Sequence, residues 1–145
     1  MKKSLCFLIA VLCLALTACG PGLQDYHYDV ADGYMVFRSS AHMISVVPKD
    51  GWSSEDETIP EKVVEIAWND TFVIAKQLGM KRRSPNDPND SYELPDRNEV
   101  SYWILDTSER IRYGPYSEEE FSSKLVDFEL TDLVLKGVET YRKKW

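Results

Sequence analysis

The chain has 145 residues, with 24 acidic and 17 basic side chains and a formal net charge of −7. That length suits one domain, and an acidic surface repels nucleic acid, so no nucleic-acid partner is expected. Its three cysteines, Cys6, Cys13 and Cys19, all lie at the start, and no zinc spacing or Gly-rich phosphate loop follows, so neither a metal nor a cofactor is expected.

Met1-Lys2-Lys3 puts positive charge ahead of twelve apolar residues, Leu5 to Leu16, where a membrane-spanning helix needs about 20. A basic start, an apolar middle of this length and small residues at its end are the parts of an export signal. Leu16-Thr17-Ala18-Cys19 resembles the lipobox of bacterial lipoprotein precursors. That resemblance implies cleavage between Ala18 and Cys19 and a diacylglyceryl group on the Cys19 sulfur, with further acylation of its amine. The competing reading of the run is a buried N-terminal helix with a chance cysteine. Acyl chains contribute about 0.8 kcal/mol per buried methylene, and two of them anchor a protein far more firmly than one.

Three segments are therefore expected: a signal peptide over 1–18, the lipidated cysteine and a short tether over 19–24, and a single extracytoplasmic domain over 25–145. Removing the signal takes away two lysines and no acids, which moves the charge from −7 to −9. The anchor, rather than charge, is then expected to hold the domain at the outer face of the cell membrane. Only one cysteine survives, so no internal disulfide can form, and stability must come from a packed core.

Strands are predicted at YHYDV (26–30), YMVF (34–37) and HMISVV (42–47), with Asp32-Gly33 as a hairpin turn between the first two. Residues 49–60 read as a polar, acidic loop. VVEIAWNDTFVIAKQ, 63–77, predicts a central hairpin with a two-residue Asn69-Asp70 turn. That register sets Trp68 against Thr71, Ile66 against Val73 and Val64 against Ala75 on one face. Val63, Ala67, Phe72 and Ile74 take the other, with Glu65 opposite Ile74. Residues 79–98, rich in Pro, Asn, Asp and charge, predict a long loop. A second hairpin follows, VSYWILD (100–106) and RIRY (110–113), which Pro115 is expected to stop. Ser117 and Glu120 have the spacing of a capping box, flanked by Tyr116 and Phe121 as a hydrophobic staple, and predict a helix over about 118–127. LVLK (133–136) suggests an edge strand, and VETYRKKW a final short helix.

Candidate chemistry is sparse. His27 and His42, the only histidines, read as strand residues near the surface, and no nucleophile elbow accompanies them. Asn86-Asp87-Pro88-Asn89-Asp90 carries hard oxygens but lacks the central glycine and twelfth-position glutamate of an EF-hand loop, so a turn is the better reading. Scattered carboxylates such as Asp25, Asp29, Glu65 and Asp106 leave open an acid/base pair that spacing alone cannot identify.

YWILDTSERIRYGPYSEEEF, 102–121, resembles the start of GYF-type modules. That likeness implies binding of proline-rich peptides, with Tyr102, Trp103, Tyr113 and Tyr116 as the partner-binding residues; the alternative is a Gly-Pro strand end followed by a helix cap. CGPGLQDYHYDVADGY, IAWNDTFVIAKQ and the same 102–121 stretch, in that order, resemble a family of small lipoproteins of Bacillus-type bacteria that carries a domain of unknown function. This implies an extracytoplasmic domain and no functional residue beyond Cys19.

The fold expected is α+β, an antiparallel β-meander of about six or seven strands with a C-terminal helix packed on it. The function expected is a membrane-anchored, non-enzymatic binding or interaction domain with a protein or peptide partner in the cell envelope. The alternative is an accessory cell-envelope enzyme using a carboxylate acid/base pair.

Overall fold

The computed structural model describes residues 25–51 and 54–142. The export signal, the Ala18/Cys19 cleavage site and the tether lie outside the described residues. β1 (Tyr26–Asp29), β2 (Tyr34–Arg38) and β3 (Ile44–Pro48) make one antiparallel sheet. β4 (Val63–Trp68), β5 (Phe72–Arg82), β6 (Glu93–Asp106), β7 (Ile111–Tyr116) and β8 (Lys136–Gly137) make the second, in the order β7-β6-β5-β4-β8, and α1 (Glu118–Asp127) packs on it. The α+β expectation holds. The strands form two sheets: β1 to β3 run as one antiparallel meander and β4 to β7 as another, with β8 added beside β4.

Alternation explains the layers. Tyr34 and Val36 of β2 and Ile44 and Val46 of β3 point inward and meet Val63, Ile66, Val73, Ala75, Trp103 and Leu105 of the larger sheet in one core. The residues between them on the larger sheet, Ala67, Ile74, Tyr102 and Ile104, face the other way and are covered by Phe121 of α1 and by Leu130. Burying each such isoleucine or leucine contributes about 1.5–3 kcal/mol.

From Ile66 to Ala75 the central hairpin keeps its expected faces but not its expected register, while Val63 and Val64 exchange sides. Trp68 pairs with Val73 and Ile66 with Ala75, because the turn takes four residues. The Asn69 side-chain carbonyl accepts from the amides of Thr71 at 2.9 Å and Phe72 at 2.8 Å, and the Asn69 amide donates to the Phe72 carbonyl at 3.0 Å. A slip of two residues preserves alternation, so Ile66, Val73 and Ala75 still share a face. A bulge between Val63 and Glu65 turns Val63 into the core between the sheets, away from the Ala67 side. Glu65 stands opposite Lys76, not Ile74, with 3.7 Å between carboxylate and ammonium.

Two other expectations are corrected. Residues 79–98 are not all loop: β5 runs to Arg82 and β6 starts at Glu93, so the strands continue as a two-stranded arm. Pro115 does not end the second hairpin either, since β7 continues to Tyr116, opposite Tyr102. β7 is an edge strand, where a missing N–H is tolerated, and a bulge takes up Gly114-Pro115. Gly114 has φ +122, and a Cβ there would lie 2.8 Å from the Tyr102 carbonyl oxygen.

The helix forms where predicted. The Ser117 hydroxyl accepts from the Glu120 amide at 3.3 Å, and the Glu120 carboxylate accepts from the Ser117 amide at 2.8 Å. Phe121 stacks on Tyr102, their ring centroids 4.9 Å apart. Of LVLK only Lys136 joins a strand, against Ile66, and Val138–Tyr141 forms one 3-10 turn.

The turns collect at one end. The Asp32 amide reaches the Asp70 carbonyl at 3.4 Å, and the Thr107 amide the Thr71 carbonyl at 2.9 Å. The opposite end carries the start of β1, the β2–β3 loop and the arm.

Candidate functional site

The open end is built by a loop and an arm that lean together. In the loop, the Ser40 hydroxyl accepts from the amides of His42 at 3.3 Å and Met43 at 3.1 Å, curling residues 39–43 into a tight connection. In the arm, the β5–β6 ladder slips by three residues between the Leu78–Val100 and Gly79–Asp96 pairs. The extra residues bulge out, and the Glu99 side chain occupies the space that a Cβ on Gly79 would need. The His42 ring meets Tyr92 of the arm edge-on at 6.0 Å.

The arm's tip ties its charges to itself. Asp90 accepts from the Arg83 guanidinium at 2.9 Å and from the Tyr92 amide at 3.1 Å. The Ser84 hydroxyl, Arg83 and the Tyr92 amide together hold its carboxyl down at about 2. Asp87 accepts from the Asn89 amide. The Asn-Asp-Pro run is thus a turn whose carboxylates serve the backbone and Arg83. Among the described residues no three His, Cys, Asp or Glu side chains gather as a metal site would require.

Two hollows adjoin at His42. One, of about 470 Å³, lies between the loop, Met80 and the arm's tip; the other, of about 670 Å³, opens over the larger sheet. The floor of the second continues the face that the helix covers. Ile74–Ile104 is followed along the ladder by Lys76–Tyr102 and then Leu78–Val100, beyond Phe121. Val64, Leu94 and Pro95 complete an apolar floor, and Lys62, Lys76 and Arg97 stand around it.

The cations differ in their pairing. Lys76 reaches Glu65 at 3.7 Å and Lys81 reaches Asp96 at 3.3 Å. Lys62 donates instead to the Ala41 carbonyl at 2.6 Å, and Arg82 to the carbonyls of Asp87 and Asp90. Arg97 makes no ion pair among the described residues. Burial first, and then the like charges of Arg38 and Arg97 against the opposing pull of Glu139, push the Lys62 ammonium below its ordinary value. The His42 Nδ1 atom is buried without a hydrogen-bond partner. The arrangement can hold an anionic group over apolar surface.

The four aromatics expected to bind a partner do not form one open surface. Tyr102 is buried under the helix, while Trp103, its neighbour in the strand, points into the other core. There the Trp103 indole N–H donates to the Gln77 side chain at 2.8 Å, and Arg112 lies 4.4 Å from the ring. Tyr113 packs on Phe128 at 5.0 Å, and Tyr116 joins the same helix-side layer, both half-buried. The candidate carboxylates are also separate: Asp29 pairs with Lys49, Glu65 with Lys76, and Asp106 accepts from the Ser108 and Glu109 amides in its own turn. Asp25 and His27 are exposed.

Sequence reasoning missed His42, Lys62 and Arg97 as a group. They come from three distant segments, and only the arm's leaning back toward the loop unites them.

The family model described as "Protein of unknown function (DUF3997)" matches residues 31–139, and the chain belongs to that family. No curated protein and no solved structure matches it.

Proposed function

We propose that this member of the DUF3997 family is a lipid-anchored protein of the outer face of the cell membrane, and that its domain acts by binding rather than by catalysis. The observation that carries the reading is the stretch from Met1 to Cys19: a basic start, twelve apolar residues and Leu-Thr-Ala-Cys. Support for binding comes from the open end, where an apolar floor is ringed by Lys62 and Arg97, neither paired with a carboxylate. Asp29, Glu65 and Asp106, engaged with three different partners, lend no geometry to an acid/base pair.

The test is metabolic labelling with palmitate in the native cell. Label on the wild-type chain that disappears in Cys19→Ala, together with retention of the signal segment in that variant, is the expected result. Equal incorporation by Cys19→Ala would overturn the anchor.

A further inference from the structure

We infer that the end of the domain from which the tether leaves is a membrane-docking surface, with Met43, Tyr92 and Val100 meeting the apolar boundary of the bilayer and Lys62, Arg82 and Arg97 meeting lipid phosphates. The inference deepens the anchored-binding reading and rests on it: the partner of the open end is the bilayer that holds Cys19.

The covalent chain gives the first argument. Tyr26 pairs with Arg38, so the start of β1 lies at the same end as the β2–β3 loop that follows Arg38. Lys62 is hydrogen-bonded to that loop through Ala41, and the arm touches it through His42 and Tyr92. Between the lipid-bearing Cys19 and Asp25 stand only Gly20 to Gln24. The six residue steps from Cys19 to Asp25 reach at most about 20 Å when fully extended. A lipid on Cys19 therefore keeps this end, and not the turn end, within one short tether of the membrane.

Exposure gives the second. Seven large apolar or aromatic side chains are exposed among the described residues, and Phe37, Met43, Tyr92 and Val100 belong to this end. The other three are scattered: Ile111 begins β7, Val126 lies on α1 and Val134 follows the helix. Tyr92 is 49% exposed and Met43 44%, large areas to leave in water beside each other's segments. Amphipathic aromatic rings and long cationic side chains are what the headgroup layer accommodates, the stems lying along apolar surface while the charged heads reach phosphate.

Charge gives the third. The chain as a whole is acidic, and Lys76, Lys81 and Arg83 in this region are neutralised by Glu65, Asp96 and Asp90. Lys62, Arg82 and Arg97 are left with carbonyls or with no ion pair among the described residues, beside the carboxylates of Glu61, Glu93 and Glu99 at the same end. No helix among the described residues is long and apolar enough to cross a membrane, and the docking proposed is interfacial.

The experiment uses the lipidated chain reconstituted on vesicles of phosphatidylcholine and phosphatidylglycerol. Met43→Cys and Glu109→Cys each receive a polarity-sensitive dye; Glu109 lies in the β6–β7 turn at the far end, and the Cys19 sulfur is blocked by its lipid. Flotation with the vesicles reports the anchor separately, and a chain that does not float refutes the anchored reading whatever the dye shows. In floating protein, the dye at Met43→Cys is expected to shift to the blue and to be quenched by brominated acyl chains, with the dye at Glu109→Cys unaffected. Replacing Lys62 and Arg97 together by Gln should lower that quenching severalfold. Equal, water-like emission at both positions in floating protein would overturn the docking surface and leave the open end to a soluble anionic ligand. Quenching unchanged by the double replacement would overturn the phosphate contacts.

Discussion

Tyr26 lies directly opposite Arg38 in the first ladder, and the two share one acceptor. The Glu139 carboxylate takes the Tyr26 hydroxyl at 3.1 Å and the Arg38 guanidinium at 2.7 Å. Burial and Glu139 raise the Tyr26 phenol above its ordinary value, so at neutral pH it is a donor. The entry of the chain into its domain is thereby tied to a residue near the far end of the sequence.

Arg38→Ala should therefore cost more than a surface ion pair would. Arg38 is 8% exposed, donates to the Ser40 carbonyl at 3.2 Å and lies 5.4 Å from the Tyr26 ring centroid. Losing a charged hydrogen bond of this kind costs about 1.5–3 kcal/mol. Denaturant unfolding of the variant checks it, and a change within about 0.5 kcal/mol would mean that Arg38 acts as an ordinary surface residue.

The helix end predicts a gain. The Leu130 amide donates to the Leu125 carbonyl at 2.8 Å and the Glu129 amide to the Val126 carbonyl at 3.1 Å, a Schellman closure with Glu129 at φ +58. A side chain there costs about 1–2 kcal/mol, against which glycine loses about 0.5–1 kcal/mol in chain entropy. Glu129→Gly should raise stability by about 0.5–1 kcal/mol in the same unfolding measurement. A loss would place the value of Glu129 in its side chain instead.

Asp90 sets an acid limit on the arm. Its folded carboxyl, held at about 2 by Ser84, Arg83 and the Tyr92 amide, lies below an unfolded value of about 3.9. The unfolded chain then binds more protons, so the stabilisation is complete above about pH 4 and is lost as pH falls toward 2. Melting temperatures of wild type and Asp90→Asn should differ at pH 5 and converge near pH 2. A constant difference across that range would contradict the assignment.

What the sequence made legible was local or alternating. The cap of Ser117 and Glu120 lies within four residues, so the helix over 118–127 could be read from it directly. From Ile66 to Ala75 the faces of the central hairpin followed from alternation even though its register did not, because the Asn69 side chain decided the turn's length. The arm was hidden, since Pro95, Asp96 and Asn98 discourage a strand locally and are tolerated where β6 has no neighbour on its other side. Tyr102 and Trp103 looked like a surface pair in sequence, yet adjacent strand residues necessarily face opposite ways. The open end could not be read as a unit, because positions 42, 62 and 97 share no spacing.

The proposed binding and docking both require that Cys19 carry the chain at the membrane. Mass spectrometry of the N-terminal peptide from protein purified out of the native membrane tests that most directly. The expected peptide begins at Cys19 and carries a diacylglyceryl adduct on sulfur. A peptide beginning at Met1, or one with an unmodified Cys19, in that membrane-purified protein would overturn the anchor.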